Sequence, residues 1–281
     1  LNQELAASKI SKISGMLNGT SNFILSNMEE GMEFEPTLKL AQEKGYAEPD
    51  PSFDIEGIDA AHKIGILSSL AFGSSLPPKD FYIEGINGIH KDDFKYAYEM
   101  GYTIKHLAIA KSTNNSIDLR AHPSLVKLDS YLANLKGVRN GIEVETDLLG
   151  TLHIAGSGAG QEATASGVIS DLIYLSDSKI REVNNINESI ELIDFIDLDF
   201  QYYFYIEASD VSGVMASISS IFADKDVSIE SISQKENLND DLVPIIIITD
   251  PFKEKDYQEL VENLLELDSV NKIRSIRIEP Q

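Results

Sequence analysis

QYYFYIEASDVSGVMASISSIFADKDVSIESISQ, residues 201–234, reads as strand, helix, strand: an aromatic and β-branched run over 201–208, a helical segment over 213–223 and a second strand over 228–234. Downstream, VPIIIIT at 243–249 is a strand, 255–266 a helix and 270–278 a last strand. The order βαββαβ in about 80 residues is that of a ferredoxin-like module.

Working back from this module, the stretch 177–199 is polar and then acidic without clear periodicity, and reads as a linker or an edge element. The chain therefore divides into a first domain over 1–180, a linker over 181–200 and a second domain over 201–281. Residues 1–75 carry mostly helical signals. Segments 20–30 and 35–44 are helices closed by Gly31 and Gly45, and 55–72, apolar on nearly every side, reads as a buried helix. From Tyr102 strands take over: 102–112 and 115–122 form a hairpin around Thr113 and Asn114, 141–145 and 151–155 are further strands, and 161–174 is a helix. The expected fold class is α+β, a mixed α/β first domain whose sheet is covered by helices, followed by the ferredoxin-like module.

Of the 281 residues, 42% are hydrophobic and 25% charged, a globular composition that excludes a disordered tail. Acidic side chains outnumber basic ones 46 to 23, and the net charge of -23 repels phosphate backbones and anionic headgroups. Nucleic acid and membrane surfaces are not expected partners. The absence of cysteine excludes disulfides, thiolate metal sites and a cysteine nucleophile, and suits a reducing cytoplasm. No apolar run approaches the roughly 18 residues of a spanning helix. The opening LNQELAASKISKI has no initiator Met and no signal-peptide pattern, and enters helical periodicity at once, which reads as a start inside a longer chain.

The richest chemistry is gathered in Tyr46, Glu48, Asp50, Asp54, Glu56, Asp59 and Lys63, around the entry to the 55–72 helix. Asp59 and Lys63, four apart, share a face that continues through Ile66, Leu67 and Leu70, so the lysine emerges from an apolar surface. Carboxylates beside it suit the ammonium group of an amino acid, because a desolvated cation needs an opposite charge and acceptors. The plainer alternative is that Asp54 caps the helix and Asp59 with Lys63 is an ordinary surface ion pair. A calcium loop counted from Asp50 fails, since Ile55 stands where glycine is needed and Ala61 where an acid is needed.

Gly156, Gly158 and Gly160 in GSGAGQ lie between a strand and a helix, where amides can meet an anion or simply make a tight turn. Gln161 follows Gly160 and no βαβ continuation is present, so this is a weak dinucleotide fingerprint. Thr20, in NGTSN, could be no more than a helix cap. His62, His90, His106, His122 and His153 have no ligand spacing, and no metal is expected.

Taken together, MLNGTSNFIL at 16–25, AQEKGYAEPDPSFDIEGIDAAHKIGILSSLAFG at 41–73 and GSGAGQEATASGVISDL at 156–172 closely resemble homoserine dehydrogenase over residues 8–180, in order and separation. The family reduces aspartate 4-semialdehyde to homoserine with NADPH or NADH, on the route to threonine, methionine and isoleucine. The resemblance implies that Glu48 and Asp59 hold the substrate's amino group, that Tyr46 and Asp54 line the same pocket, and that Lys63 hydrogen-bonds the reacting oxygen. By the same route Gly160 and Thr164 approach the cofactor, and Asn18, Gly19 and Thr20 lie near the cleft on its side. Family members begin with a Rossmann domain bearing G-x-G-x-x-G, which this sequence lacks, so the main NADP or NAD site is expected outside it and the chain by itself is expected to be inactive.

FYIEASDVSGVMASISSIFADKDVSIESISQ at 204–234, with its D-x-x-G-V loop, resembles an ACT domain. Such domains pair and bind amino acids, which implies Asp210, Gly213 and Val214 as effector contacts and threonine as the feedback inhibitor. Alternatively Asp210 or Ser212 caps the helix and the module only dimerises. The family also implies a homodimer or larger homo-oligomer. A second reading is a non-catalytic amino-acid sensor in which the ACT module works and the first domain is a scaffold.

Overall fold

Residues 10–16, expected to be helical, form a strand, β1 (Ile10–Met16). The computed structural model describes residues 5, 7–73, 81–114, 116–158, 160–177, 190–235 and 241–280. β1 is flanked antiparallel by two other strands, with Ile13 opposite Ala110 on one side and Val144 on the other. Ile13 is fully buried there, and Gly15 is required, since a Cβ would lie 2.9 Å from the Gly141 carbonyl oxygen. Pairing on both sides overrides the local pattern.

Next come α1 (Gly19–Glu29), α2 (Phe34–Glu43), α3 (Ser52–Ile55) and α4 (Ile58–Phe72). The expected single helix over 55–72 is thus two, broken at Gly57, whose φ of 81° lies in the left-handed region. Nor is α4 buried all round: Ala60, Ala61 and Ile64 face the sheet, while Ile66 and Leu70 are 62% and 43% exposed. β2 (Tyr82–Ile83) and α5 (Lys91–Glu99), a helix absent from the expected pattern, precede the hairpin β3 (Tyr102–Thr113) and β4 (Ser116–Lys127). Asn114 turns that hairpin with a φ of 55°. β5 (Arg139–Thr146), β6 (Gly150–Ser157) and α6 (Gln161–Asp177) complete the first unit.

Of the expected linker, 181–189 lie outside the described residues; 190–200 hold β7 (Glu191–Leu192), a 3-10 turn at Phe195–Asp197 and the start of β8 (Asp199–Ser209). The module then runs α7 (Val214–Asp224), β9 (Ile229–Gln234), β10 (Leu242–Thr249), the short β11 (Phe252–Lys253), α8 (Glu254–Leu265) and β12 (Val270–Ile278). Its sheet order β12-β8-β10-β9 and its helices, which pack Ile218, Phe222, Leu260 and Leu264 onto one face, are ferredoxin-like. Each such buried side chain contributes about 1.5–3 kcal/mol.

The two units share one sheet, in the order β6-β5-β1-β3-β4-β12-β8-β10-β9. The seam is parallel, with Arg277 opposite Ser124 and Ile278 opposite Leu125. They also share a core: Tyr203, Tyr205 and Ile246 of the module pack with Phe94, Tyr96 and Ile104 of the first unit. Ion pairs cross the seam, Arg274 to Asp93 at 2.9 Å, Arg277 to Glu84 at 2.7 Å, and Glu279 to both Arg120 at 2.8 Å and Lys12 at 3.0 Å. Burial disfavours the Glu279 carboxylate, yet Arg120 and Lys12 hold its pKa below the ordinary range. Among the described residues no helix is long and apolar enough to cross a membrane.

Candidate substrate site

The end of β1, the N-terminus of α1 and the α3–α4 junction meet around a single amide. Asn18 is the N-cap of α1, its Oδ1 accepting from the Ser21 amide at 2.8 Å. That role fixes the side chain, so that Nδ2 faces α3 and α4 and donates to Asp54 Oδ1 at 2.7 Å and Asp59 Oδ2 at 2.8 Å. The cap is therefore Asn18 and not Thr20, whose buried hydroxyl donates to the Tyr46 carbonyl at 2.6 Å. Asp54 does not cap α4 either: Gly57 occupies the cap position with no side-chain bond, and the Asp54 carbonyl accepts from Ser21 Oγ at 3.0 Å.

Lys63 completes the cluster. Its Nζ donates to Asp59 Oδ2 at 2.6 Å and to the Leu17 carbonyl at 2.9 Å. With the Asp59 side chain 19% exposed and that of Lys63 43% exposed, the pair stands at the mouth of the site, more sheltered than a surface i,i+4 bridge. An ammonium group has three donors, so one N–H of Lys63 remains for a ligand. The Leu17 carbonyl is shared with Asn140, whose Nδ2 donates to it at 3.0 Å while its Oδ1 is buried without a partner. Asn140 in turn fills the space beside Gly158, where any Cβ would collide with its amide. The middle glycine of GSGAG is thus explained by packing.

The other expected residues are nearby or apart. Tyr46, 37% exposed, meets Phe23 edge-on at 5.1 Å between centroids. Glu48 is exposed; its carbonyl accepts from Gln42 Nε2 at 3.1 Å, and its carboxylate engages none of the cluster. Asp50 is occupied by the Ser52 hydroxyl and amide, which hold its carboxyl below the usual range. Gly160 has a φ of 110°, and a Cβ at Gly160 or at Gly156 would meet open space. Thr164 spends its hydroxyl on the Gly160 carbonyl at 3.1 Å.

In the module, Gly213 is the N-cap of α7 with φ of 96° and no side-chain cap, so neither Asp210 nor Ser212 plays that part. Asp210 Oδ1 accepts from Gln234 Nε2 at 3.4 Å, and Val214 is buried in the core. The histidines serve packing: His90 caps α5, His62 meets Phe53, His153 stacks on Tyr131, and His106 and His122 are buried, where desolvation lowers their pKa. Among the described residues no group of acids and histidines could hold a metal ion.

Sequence reasoning missed the bridging role of Asn18, and it missed Asn140 and the Leu17 carbonyl. An asparagine preceding a helix does signal a cap, but not that its second arm joins two carboxylates 36 and 41 residues away.

A family model described as homoserine dehydrogenase matches residues 1–173, and one described as ACT domain matches 202–269. The chain is 40% identical over 292 residues to a homoserine dehydrogenase of Pseudomonas aeruginosa, covering 99% of this chain and 67% of that protein. The crystal structure of a homoserine dehydrogenase from Thiobacillus denitrificans superposes with a TM-score of 0.89 at 38% identity, over 99% of this chain and 66% of that one. A hyperthermophilic archaeal homoserine dehydrogenase solved in complex with NADPH covers 63% of this chain and 51% of that one, with a TM-score of 0.52 and 28% identity. The chain thus spans about two thirds of the length of its relatives.

Proposed function

The chain belongs to the homoserine dehydrogenase family and carries an ACT domain, and from that premise we propose that it supplies the substrate site for reduction of L-aspartate 4-semialdehyde to L-homoserine, in threonine, methionine and isoleucine biosynthesis. The observation that carries this reading is the convergence of Asp54, Asp59 and Lys63 on Asn18 and the Leu17 carbonyl. Asp59 and Glu48 receive the substrate's ammonium group, with Asp54 and Tyr46 lining the pocket. Asp54, pinned by the neutral Asn18 amide, keeps its charge for the ligand, while Asp59 divides its charge between Lys63 and the ligand.

NADPH or NADH supplies the hydride. Its catalytic end would lie against Gly160, Thr164 and the segment holding Asn18 and Thr20. The remaining N–H of Lys63 points the site's positive charge at the oxygen that becomes an alkoxide, and a proton reaches that oxygen from Lys63 directly or through water. Asp59 and the Leu17 carbonyl fix the direction of that N–H, and Asn140 fixes the Leu17 carbonyl.

Domain limits of 1–180 and 201–281 fit this division of labour, the second domain taking an amino-acid effector, threonine, at Asp210, Gly213 and Val214. A cytoplasmic homodimer or larger homo-oligomer completes the reading. The described residues contain no dinucleotide-binding βαβ unit. The 281 residues alone should therefore give no semialdehyde-dependent oxidation of NADPH, and should give it once joined to the dinucleotide-binding unit of a longer relative. Turnover by the 281 residues alone, or its absence after joining, would each count against the assignment.

A further inference from the structure

The two carboxylates bridged by Asn18 stand on either side of a backbone hinge, and the hinge is propped from behind. Gly57 separates Asp54 on α3 from Asp59 on α4. The Ile86 amide donates to the Ile55 carbonyl at 2.8 Å. Gly85 lies so close that a Cβ would collide with the Ile55 carbonyl and sit 2.6 Å from Glu56 Cα. His106, 2% exposed, places Nε2 at 2.8 Å from the Glu84 carbonyl and closes on Gly57, whose Cβ would lie 2.8 Å from that same nitrogen. Desolvation favours neutral His106, and the carbonyl then selects the tautomer with the proton on Nε2.

Segment 84–86 is itself anchored at Glu84. Its amide donates to the Ala121 carbonyl at 2.9 Å, and its Oε2 accepts from the Tyr82 hydroxyl and from Arg277 Nη1, each at 2.7 Å. Arg277 belongs to β12, the last strand of the ACT module, and its Nε and Nη2 are bound to Glu254 at 3.0 and 2.6 Å. Every step from β12 to the hinge is a direct contact.

We infer that Glu84 is a positioning residue for the substrate carboxylates: held by Arg277, it fixes segment 84–86, which seats the hinge at 55–57 and so sets the placement of Asp54 and Asp59. The last strand of the ACT module is then part of the support of the substrate site. This inference rests on the reading of Asp54 and Asp59 as substrate contacts.

Two variants of the 281-residue chain test it. Glu84→Gln removes the charge that Arg277 holds while keeping the shape, and because the Glu84 side chain is 38% exposed the fold should survive. Gly85→Ala pushes the segment off Ile55 directly. Both are read without ligand, by amide hydrogen exchange over 54–59 and by the NMR chemical shift of the Asp59 carboxyl carbon at neutral pH, and then by calorimetric titration with L-homoserine. The expected result for Glu84→Gln is a cooperative fold, exchange over 54–59 faster by about tenfold, a displaced Asp59 carboxyl resonance and homoserine affinity weaker by about tenfold. Unchanged exchange and an unmoved Asp59 resonance in folded Glu84→Gln would overturn the inference, whatever happens to binding. If the unaltered chain fails to bind L-homoserine while Glu84→Gln still loosens 54–59, the positioning role stands and the substrate reading falls. Should Gly85→Ala not fold, Glu84→Gln decides alone.

Discussion

Replacing Lys63 by methionine, in the protein joined to a dinucleotide-binding unit, should lower kcat by roughly a thousandfold, within the range for losing a group that both stabilises a developing oxyanion and handles its proton. The stem of Lys63 is half exposed and methionine matches its length, so folding should be unaffected. KM for the semialdehyde should move far less, because Asp59 remains and is still bound by Asn18. The ammonium group is directed by two acceptors, Asp59 Oδ2 and the Leu17 carbonyl, so a group that merely restores charge should not restore rate. Lys63→Arg should accordingly stay well below the unaltered protein, since a planar guanidinium nitrogen has at most two N–H groups, which Asp59 and the Leu17 carbonyl would use up, and a guanidinium does not release a proton. A kcat within about threefold of the starting value in Lys63→Met would remove this lysine from the chemistry.

The second large effect belongs to stability. Arg277, 7% exposed, binds Glu254 through two nitrogens and Glu84 through a third, and lies over the rings of Tyr82 and Phe195 at 4.9 and 5.0 Å. Burial, the largest single influence, works against its charge, but the Glu254 bonds together with the field of Tyr202, Tyr82 and Glu254 raise its pKa. Arg277→Leu leaves the Glu254 carboxylate, 8% exposed, with the Tyr202 hydroxyl as its remaining partner. Breaking a buried pair from one side costs about 3–5 kcal/mol. For a chain of this size the fall in Tm should be on the order of 10 °C. Removing both partners, as Arg277→Leu with Glu254→Leu, should recover a good part of the loss, since the unpaired charge is the larger component. A single-variant Tm within about 2 °C of the unaltered chain would mean that the fold does not depend on this pair.

Legibility in the sequence divides along physical lines. The ACT module was legible because its strands and helices each carry their own periodicity, and the cluster at 46–63 because acids and a lysine crowd one short stretch. β1 was not, because ISKISGM owes its conformation to Ala110 and Val144 on its two flanks. The break at Gly57 was hidden by helical signals on both sides; the crowding of His106 and Glu84 against it comes from distant parts of the chain. The resemblance puts Asn18 on the cofactor side, and its bridge to Asp54 and Asp59 emerges only when β1 ends beside α3 and α4. The pairs Arg277–Glu84 and Arg274–Asp93 join residues 193 and 181 apart, which no spacing rule connects.

The central claim, that Asp59 and its neighbours receive the amino group of the substrate, is tested most directly by calorimetric titration of L-homoserine into the 281-residue chain and its Asp59→Ala and Asp50→Ala variants. Saturable binding is expected for the unaltered chain and for Asp50→Ala, whose carboxylate is occupied by Ser52, with affinity falling by at least about thirtyfold in Asp59→Ala, the lower end for removing one partner of a sheltered charge pair. Equal binding by all three proteins, or none by the unaltered chain, would contradict it.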